Sequence, residues 1–489
     1  MPTQTCHNPN LTLVIDQGSH ASRIVLFSET GELIYLKSIR ISTHSTKESI
    51  HHNIYEHDAN EILLSIQTLL ENIPSELSHN ITCCGLCTQR STIVAWHKTS
   101  GETLSPAISW RDTRCQPLID KLTPSANEIR KISGLPLSAH YSAGKMSWLL
   151  NNNKTVKSAC DNSQLCISPL ASYLIFHLLK EKTIKIDHSN AQRCQLFDIQ
   201  KLSWSDKLLS LYKIEKNILP KCVPVIYNYG ELKFNNIPLT TVCGDQNAVL
   251  YAYPALPEST ALINIGTGAF ILSTSSESHT NSPRLLHTIA SSDTEKANYI
   301  TEGTVNGAGS AISWAQKKYP CEDVFTQLPD WLEKVKSPPV FINSISNLGS
   351  PWWCNAGEPA FIGKHKAQQA ERYVAIIESI LFLIQSNLQC LTITPDSLFI
   401  SGGLSQLDTL CQKLATLAGI KVYRFTNTEA TARGCAWLAN QLLENNNLSW
   451  KTLEFSEYFY PEKKTPEDSE IGDRYEQFVG ELNKRCNSD

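Results

Sequence analysis

Leu11-Thr12-Leu13-Val14-Ile15-Asp16-Gln17-Gly18-Ser19-His20 is the stretch that decides the fold. Leu11 to Asp16 reads as a buried strand, because a short continuous apolar run closed by turn residues belongs to a strand covered on both faces. Gly18 turns the chain into a second apolar run, Ile24 to Phe27. A turn at Thr30 and Gly31 then leads to a third strand from Leu33. The pattern predicts an antiparallel meander that opens a domain. A similar unit returns at Ala261 to Ile265, where Gly266, Thr267 and Gly268 turn into Ala269 to Ser273. The repetition predicts two related halves, divided near Cys243 into residues 1–243 and 244–489.

Between the two meanders, Ile81 to Cys84 and Ile93 to Trp96 have strand character, while Lys145 to Asn151 and Tyr173 to Glu181 have helical character, so the first half is α/β. In the second half Ala370, Val374, Ile377, Leu381, Ile384, Leu388 and Leu391 recur at spacings of three and four, the mark of a long helix with a continuous apolar stripe. Ser397 to Ser401, the turn Gly402-Gly403 and a helical pattern to Leu417 follow. The polar end from Glu454, around Tyr458, Phe459 and Tyr460, is expected to form a peripheral helix on the second domain.

Composition narrows the partners. A chain of 489 residues, 41% hydrophobic, exceeds one core and fits two domains. The formal net charge of -4, without a block of like charges, speaks against nucleic acid or an acidic membrane surface and for a small soluble ligand. No apolar stretch reaches the ~20 residues that span a bilayer, the first apolar run is too short for a signal peptide, and a cytoplasmic protein is expected. The 16 cysteines are scattered, and Cys83, Cys84 and Cys87 have no second cluster to complete a zinc site, so most are expected to be reduced, buried thiols.

Three glycine turns each follow a hydrophobic strand: Gly18-Ser19, Gly266-Thr267-Gly268 and Gly402-Gly403. Glycine lets backbone amides approach an anion, so such turns are candidate phosphate cradles, although a single one is more often only a turn. Asp16, at a strand end, suits a hydrated Mg2+ or else caps its turn. Arg23 returns toward the phosphates or lies on a strand surface. Asp245, in Val242-Cys243-Gly244-Asp245-Gln246, is either the carboxylate that takes the proton of an alcohol during phosphoryl transfer or the N-cap of a helix over Ala248 to Tyr251.

With these segments in view the sequence resembles the FGGY carbohydrate kinases, and within them most closely the glycerol kinases. The resemblance runs in family order through Val14 to Ser19, Gly85 to Trp96, Ala107 to Arg114, Ser133 to Pro136 with Lys145 and Trp148, Ser189 to Trp204, Gly244 to Gln246, Gly266 to Phe270, Glu302 to Trp314, Ser346 to Trp353, Gly402 to Ser405 and Glu429 to Leu438. It implies two actin-like, ribonuclease H-like ATPase domains with an interdomain cleft, the cofactors ATP and Mg2+, and a sugar or polyol substrate. It also implies roles: Asp245 as catalytic base, Asp16 and Asp245 beside the metal, and Gly18, Ser19, His20 and Arg23 in the first phosphate segment. Gly266, Thr267 and Gly268 form the second phosphate segment, and Gly309, Ser313, Gly402 and Gly403 lie on the adenosine side. Arg90, Ser91, Trp110, His140, Gln246 and Phe270 line the substrate pocket, with core packing as the lesser reading of Trp110 and Phe270. A homodimer and a homotetramer both stay open.

The departures from the glycerol kinase pattern fall in the substrate shell and, at a few positions, on the nucleotide side. Ser91 stands where those enzymes carry glutamate, His140 where they carry tyrosine, and Ala139 where they carry proline. His20 replaces a threonine in the nucleotide loop, Leu407 and Asp408 replace two asparagines, and Ser168, Pro169 and Leu170 replace the usual run. The pattern predicts a kept catalytic scaffold, a poor response to glycerol, and preference for a longer polyol or a ketose.

Overall fold

Leu11–Gln17 (β1) is buried along its whole length because strands flank it and helices cover both of its faces. The computed structural model describes residues 10–47, 53–253, 259–275, 284–345, 347–363, 366–425, 429–443, 450, 455–462 and 466–486. Two compact units emerge: Met1–Pro254 with Thr288–Tyr299 and Glu429–Thr452, and Ala255–His287 with Ile300–Thr428 and Leu453–Asp489.

In the first unit β1 pairs antiparallel with Ala21–Ser28 (β2), which pairs antiparallel with Leu33–Arg40 (β3). On its other side β1 runs parallel to Ile81–Thr88 (β4). Ile226–Glu231 (β5) and Pro238–Gly244 (β6) complete the order β5-β6-β4-β1-β2-β3, with β6 parallel to β4. Successive side chains leave opposite faces of a strand. Leu13, Ile15, Ile24 and Leu26 accordingly join Ile62, Ile66 and Leu69 of the helix Ala59–Glu71 in one core. Val14, Val25 and Phe27 join Ala432, Cys435 and Ala436 of the helix Ala430–Asn440 in another. Asp58 caps the first of these helices by accepting from the Asn60 N–H at 2.8 Å.

The second unit repeats the plan. Thr260–Ile265 (β7) pairs antiparallel with Ala269–Ser275 (β8) and parallel with Ser397–Ser401 (β11), which runs parallel to Lys421–Phe425 (β12). With Leu286–Ser292 (β9), Ala297–Val305 (β10) and Phe455–Phe459 (β13) the sheet order is β9-β10-β8-β7-β11-β12-β13, and Thr288–Tyr299, which takes in most of β9 and the start of β10, is grouped with the first unit. The run β2-β1-β4-β6 in one unit and β8-β7-β11-β12 in the other have the same strand directions. The long helix Gln369–Leu388 starts with a capping box, in which the Gln368 N–H donates to Glu371 at 2.7 Å. It buries nearly every residue from Tyr373 to Leu388. That includes Glu378, which pairs with Arg474 at 2.8 Å and Lys413 at 3.2 Å.

Several local expectations change. The long helix stops at Leu388, short of Leu391. The helix expected over Tyr173 to Glu181 is Leu170–Leu178, because Leu179 bridges to Leu232 and the Lys180 N–H donates to the Glu231 carbonyl at 2.9 Å. The chain end forms the strand β13 before its helix Pro466–Cys486. Phe455 sits 4.9 Å from Phe425 and 5.4 Å from Phe399, and this aromatic packing draws the segment onto the sheet edge. Of the sequence assignments, those at Ser346 and Glu454 lie outside the described residues. Thirteen described cysteines are free, nine of them buried, whereas Cys354 and Cys486 are joined in a disulfide. Among the described residues no helix is long and apolar enough to cross a membrane.

Candidate active site

The parallel strands β1, β4 and β6 end in register, with Gln17 opposite Thr88 and Thr88 opposite Gly244. The segments after them therefore start side by side at one sheet edge, where α/β proteins bind ligands. After β1 come Gly18, Ser19 and His20, the tip of a hairpin that Gly18 closes by donating to the Ala21 carbonyl at 3.0 Å. After β4 come Gln89, Arg90 and Ser91, and after β6 come Asp245 and Gln246. With strands about 4.8 Å apart, Asp16 and the start of the Asp245 segment stand about 10 Å apart across the sheet.

Asp245 opens a short helix, Asp245–Ala248, as its first residue rather than its cap, since Gly244 occupies the cap position. Its Oδ1 accepts from the Gln246 N–H at 2.7 Å and lies 3.7 Å from Arg90 Nε. Arg90 also donates to Asn247 Oδ1 at 3.2 Å. Gly244 makes this arrangement possible, because a Cβ there would come within 2.7 Å of the Arg90 stem. The Gly244 N–H is fixed from behind by Ser189 Oγ at 3.0 Å, and that hydroxyl donates to the buried Asp187 carboxylate. Asp16 accepts from Arg23 and from the Cys87 thiol, and Arg23 also reaches Glu429 at 2.6 Å. Burial opposes the charge on Arg23, but Asp16 and Glu429 outweigh it and raise its pKa. Arg23 is thus an ion-paired residue beside Asp16.

Gln89 links residues of three separate segments. Its side chain donates to Gln17 Oε1 at 3.2 Å and accepts from Thr92 Oγ1 at 2.9 Å, and that same Thr92 oxygen accepts from the Trp110 N–H at 3.1 Å. The Trp110 indole N–H donates to Ser19 Oγ at 2.8 Å, and its ring centroid lies 5.4 Å from that of His140. The His140 pKa is held well below its ordinary value by burial first and then by Lys145, Arg193 and Arg90, so the imidazole is neutral. Ser91 is fully buried at φ 63°, and its hydroxyl donates to the Arg193 carbonyl at 3.3 Å. The Ser91 hydroxyl is therefore occupied by the protein itself.

The remaining predicted residues gather in the second unit. The Gly309 N–H donates to the Gly266 carbonyl and the Ser310 N–H to the Thr267 carbonyl, both at 3.0 Å. A Cβ at Gly309 would lie 2.7 Å from the Gly266 oxygen, and one at Gly268 would lie 2.7 Å from the Val305 oxygen. Gly402 takes φ 95°, a conformation open to glycine, against the end of β7. Gly266, Thr267 and Gly403 remain exposed, so the turn is packed behind and open in front. Ser313 bonds back to the Gly309 carbonyl at 3.2 Å, and Phe270 sits half-buried on β8 opposite Asn264.

Two family models cover most of the chain. Residues 11–248 match the N-terminal domain of the FGGY family of carbohydrate kinases, and residues 261–442 match its C-terminal domain. The chain belongs to the FGGY family. A glycerol kinase of Enterococcus casseliflavus is 29% identical, over 96% of this chain and 96% of its own. The structure of a glycerol kinase of Plasmodium falciparum with ADP superposes with a TM-score of 0.85 at 25% identity, over 97% of this chain and 98% of that one. The fold is shared with a gluconate kinase of Lactobacillus acidophilus, at a TM-score of 0.83 and 19% identity over 97% of this chain and 98% of that one.

This FGGY protein is therefore a two-domain kinase of the actin-like fold that uses ATP, with a divalent metal, to phosphorylate a hydroxyl of a sugar or polyol. Gly268 and Gly309 are required by packing, because a Cβ at either would lie 2.7 Å from a backbone oxygen, while Gly266 and Thr267 leave the front of the turn open. Among the described residues no cluster of three or more metal-ligating side chains exists. Mg2+ keeps most of its water and needs only one or two carboxylates, so a built cluster is not required for it. Sequence reading assigned no role to Gln89, Thr92, Ser189 or Glu429. Their signal is hydrogen bonding between distant segments, which no local pattern carries.

Proposed function

We propose that Asp245 is the general base of this kinase and that Arg90, Trp110, His140 and Gln246 hold the acceptor, a polyol or ketose longer than glycerol. The supporting observation is the placement of Asp245 at the end of β6, 3.7 Å from Arg90, in the sheet edge shared with Gly18-Ser19. ATP bound with Mg2+ supplies the phosphoryl group and the charge neutralisation that its transfer requires. Asp245 accepts the hydroxyl proton as the oxygen attacks. Arg90 orients Asp245 and donates to acceptor oxygens, and Trp110, anchored through Ser19, offers a flat wall for carbon atoms. In the first unit Ser19 and His20 would be the phosphate contacts; in the second unit Thr267 would contact phosphate, and Gly309, Ser313 and Gly403 would serve the adenosine. Asp16 holds water of the metal, and Arg23 keeps that carboxylate in place. We place the enzyme in the cytoplasm, where ATP is supplied.

The preference for a longer acceptor rests on Ser91 and His140. The Ser91 hydroxyl is spent on Arg193, and His140 is neutral, so neither provides a charged partner for a hydroxyl. A hydrogen bond to a charged group is worth roughly 1.5 to 3 kcal/mol, or about ten- to a hundredfold in affinity. The test compares kcat/KM for glycerol, erythritol, xylulose and ribulose by coupled ADP release. A longer acceptor should win, and Ser91→Glu with His140→Tyr should raise the value for glycerol. Glycerol winning by a wide margin in the unmodified enzyme would refute this reading.

A further inference from the structure

Lys145 is a fully buried cation inside the segment group that carries the proposed acceptor site. It lies in the helix Ser142–Asn152, whose first six residues are all buried, and is itself 0% exposed. Its ammonium has three protons to donate and three acceptors within reach: the carbonyls of His140 at 2.5 Å, Ser91 at 3.3 Å and Trp110 at 3.4 Å. Lys145 makes no ion pair among the described residues. A buried charge without a carboxylate partner is costly, and its hydrogen bonds must be worth that cost. The three carbonyls belong to three separate segments: those of Trp110 and His140, proposed to hold the acceptor, and that of Ser91, next to Arg90.

We propose that Lys145 is a positioning residue for the acceptor: by tying the Ser91, Trp110 and His140 carbonyls to one ammonium it sets the spacing of the pocket wall. The proposal rests on the reading that these residues line the acceptor site. Deprotonation would weaken the tie, since a neutral amine keeps two donors and turns a lone pair toward the third carbonyl. Burial pushes the Lys145 pKa down to about 8, with Cys115 and Asp112 opposing that shift. The ionisable groups facing it are Asp112, Arg114 and Cys115 from one side, Cys194 from another, and His140, which is neutral in this range.

The experiment uses the full-length enzyme and the best acceptor of the polyol and ketose panel. Lys145→Met should raise the acceptor KM about tenfold or more while the ATP KM stays within about twofold, because displacing a pocket wall by ~1 Å costs up to a hundredfold. Lys145→Arg, which keeps the charge, should recover part of the loss. In the unmodified enzyme the acceptor KM should rise as pH passes about 8, with the ATP KM flat. A folded Lys145→Met protein with unchanged acceptor KM overturns the proposal. If that variant does not fold, the absence of the rise near pH 8 in the unmodified enzyme overturns it. Trp110→Ala and His140→Ala separate the two layers of the argument. If they alter acceptor kinetics while Lys145→Met does not, only the positioning role fails. If they too are silent, the acceptor-site reading fails.

Discussion

Replacing Gly244 by alanine adds one methyl group at the point where Arg90 crosses the end of β6. The backbone there takes φ -70°, so alanine meets no conformational obstacle, and the effect isolates a side-chain collision. The new carbon would lie 2.7 Å from both Cγ and Cδ of Arg90 and 2.7 Å from Asn247 Oδ1. Carbon atoms rest about 3.5 to 4.0 Å apart, so the Arg90 stem must shift by roughly 1 Å. That shift breaks the 3.2 Å bond to Asn247 and moves the guanidinium from its place 3.7 Å from Asp245. Overpacking of this kind costs about 1 to 3 kcal/mol of stability, which a 489-residue protein survives. A misplacement of about 1 Å near the chemistry costs roughly a hundredfold in rate. Coupled ADP release should therefore show kcat/KM lowered by about two orders of magnitude in Gly244→Ala, with the melting temperature lowered only slightly. The partner test is Arg90→Ala, alone and combined. If alanine at 244 acts through Arg90, the double variant should be little worse than Arg90→Ala alone. Kinetics within twofold of the unmodified enzyme, or fully additive losses, would refute the reasoning.

Two further outcomes concern stability. Glu378→Ala should destabilise the protein by about 3 kcal/mol, read from denaturant unfolding, because it strips Arg474 and Lys413 of a carboxylate that is 1% exposed. Burial lowers the pKa of His188 to about 4, so between about pH 6.5 and 4 the unfolded chain binds a proton that the native chain does not. Stability conferred by the neutral His188 is present above pH 6.5 and is lost as pH falls through that window. His188→Asn should flatten the fall of melting temperature between pH 7 and 5, and an unchanged slope would remove His188 from the acid response.

The strands around Gly18 and Gly266 were legible because their information is local: an apolar run, a turn residue, a second apolar run. The repeat of that pattern marks a second antiparallel hairpin at Gly266. Asp245 was legible as a candidate, but its neighbourhood was not. Nothing in the spacing of Arg90, Gly244 and Asn247 announces that one arginine stem needs a glycine 154 positions away. Lys145 stood out only as part of a family segment, since its three acceptors are backbone carbonyls and leave no trace in residue type. The aromatic segment at Tyr458 misled for a related reason. Its polar neighbours suggest a surface helix, whereas Phe399, Tyr423 and Phe425 on the adjoining strands provide the surface that makes it β13. The departures at Ser91 and His140 were visible as letters, but the Ser91 hydroxyl bond to Arg193 required coordinates.

In the proposed mechanism Asp245 takes the proton of the acceptor hydroxyl. Asp245→Asn keeps the size of the side chain and removes its basicity, so ADP release and ATP binding measured on the same preparation test the claim directly. Acceptor-dependent ADP release should fall by several orders of magnitude while ATP binds as before; turnover near that of the unmodified enzyme would contradict the account.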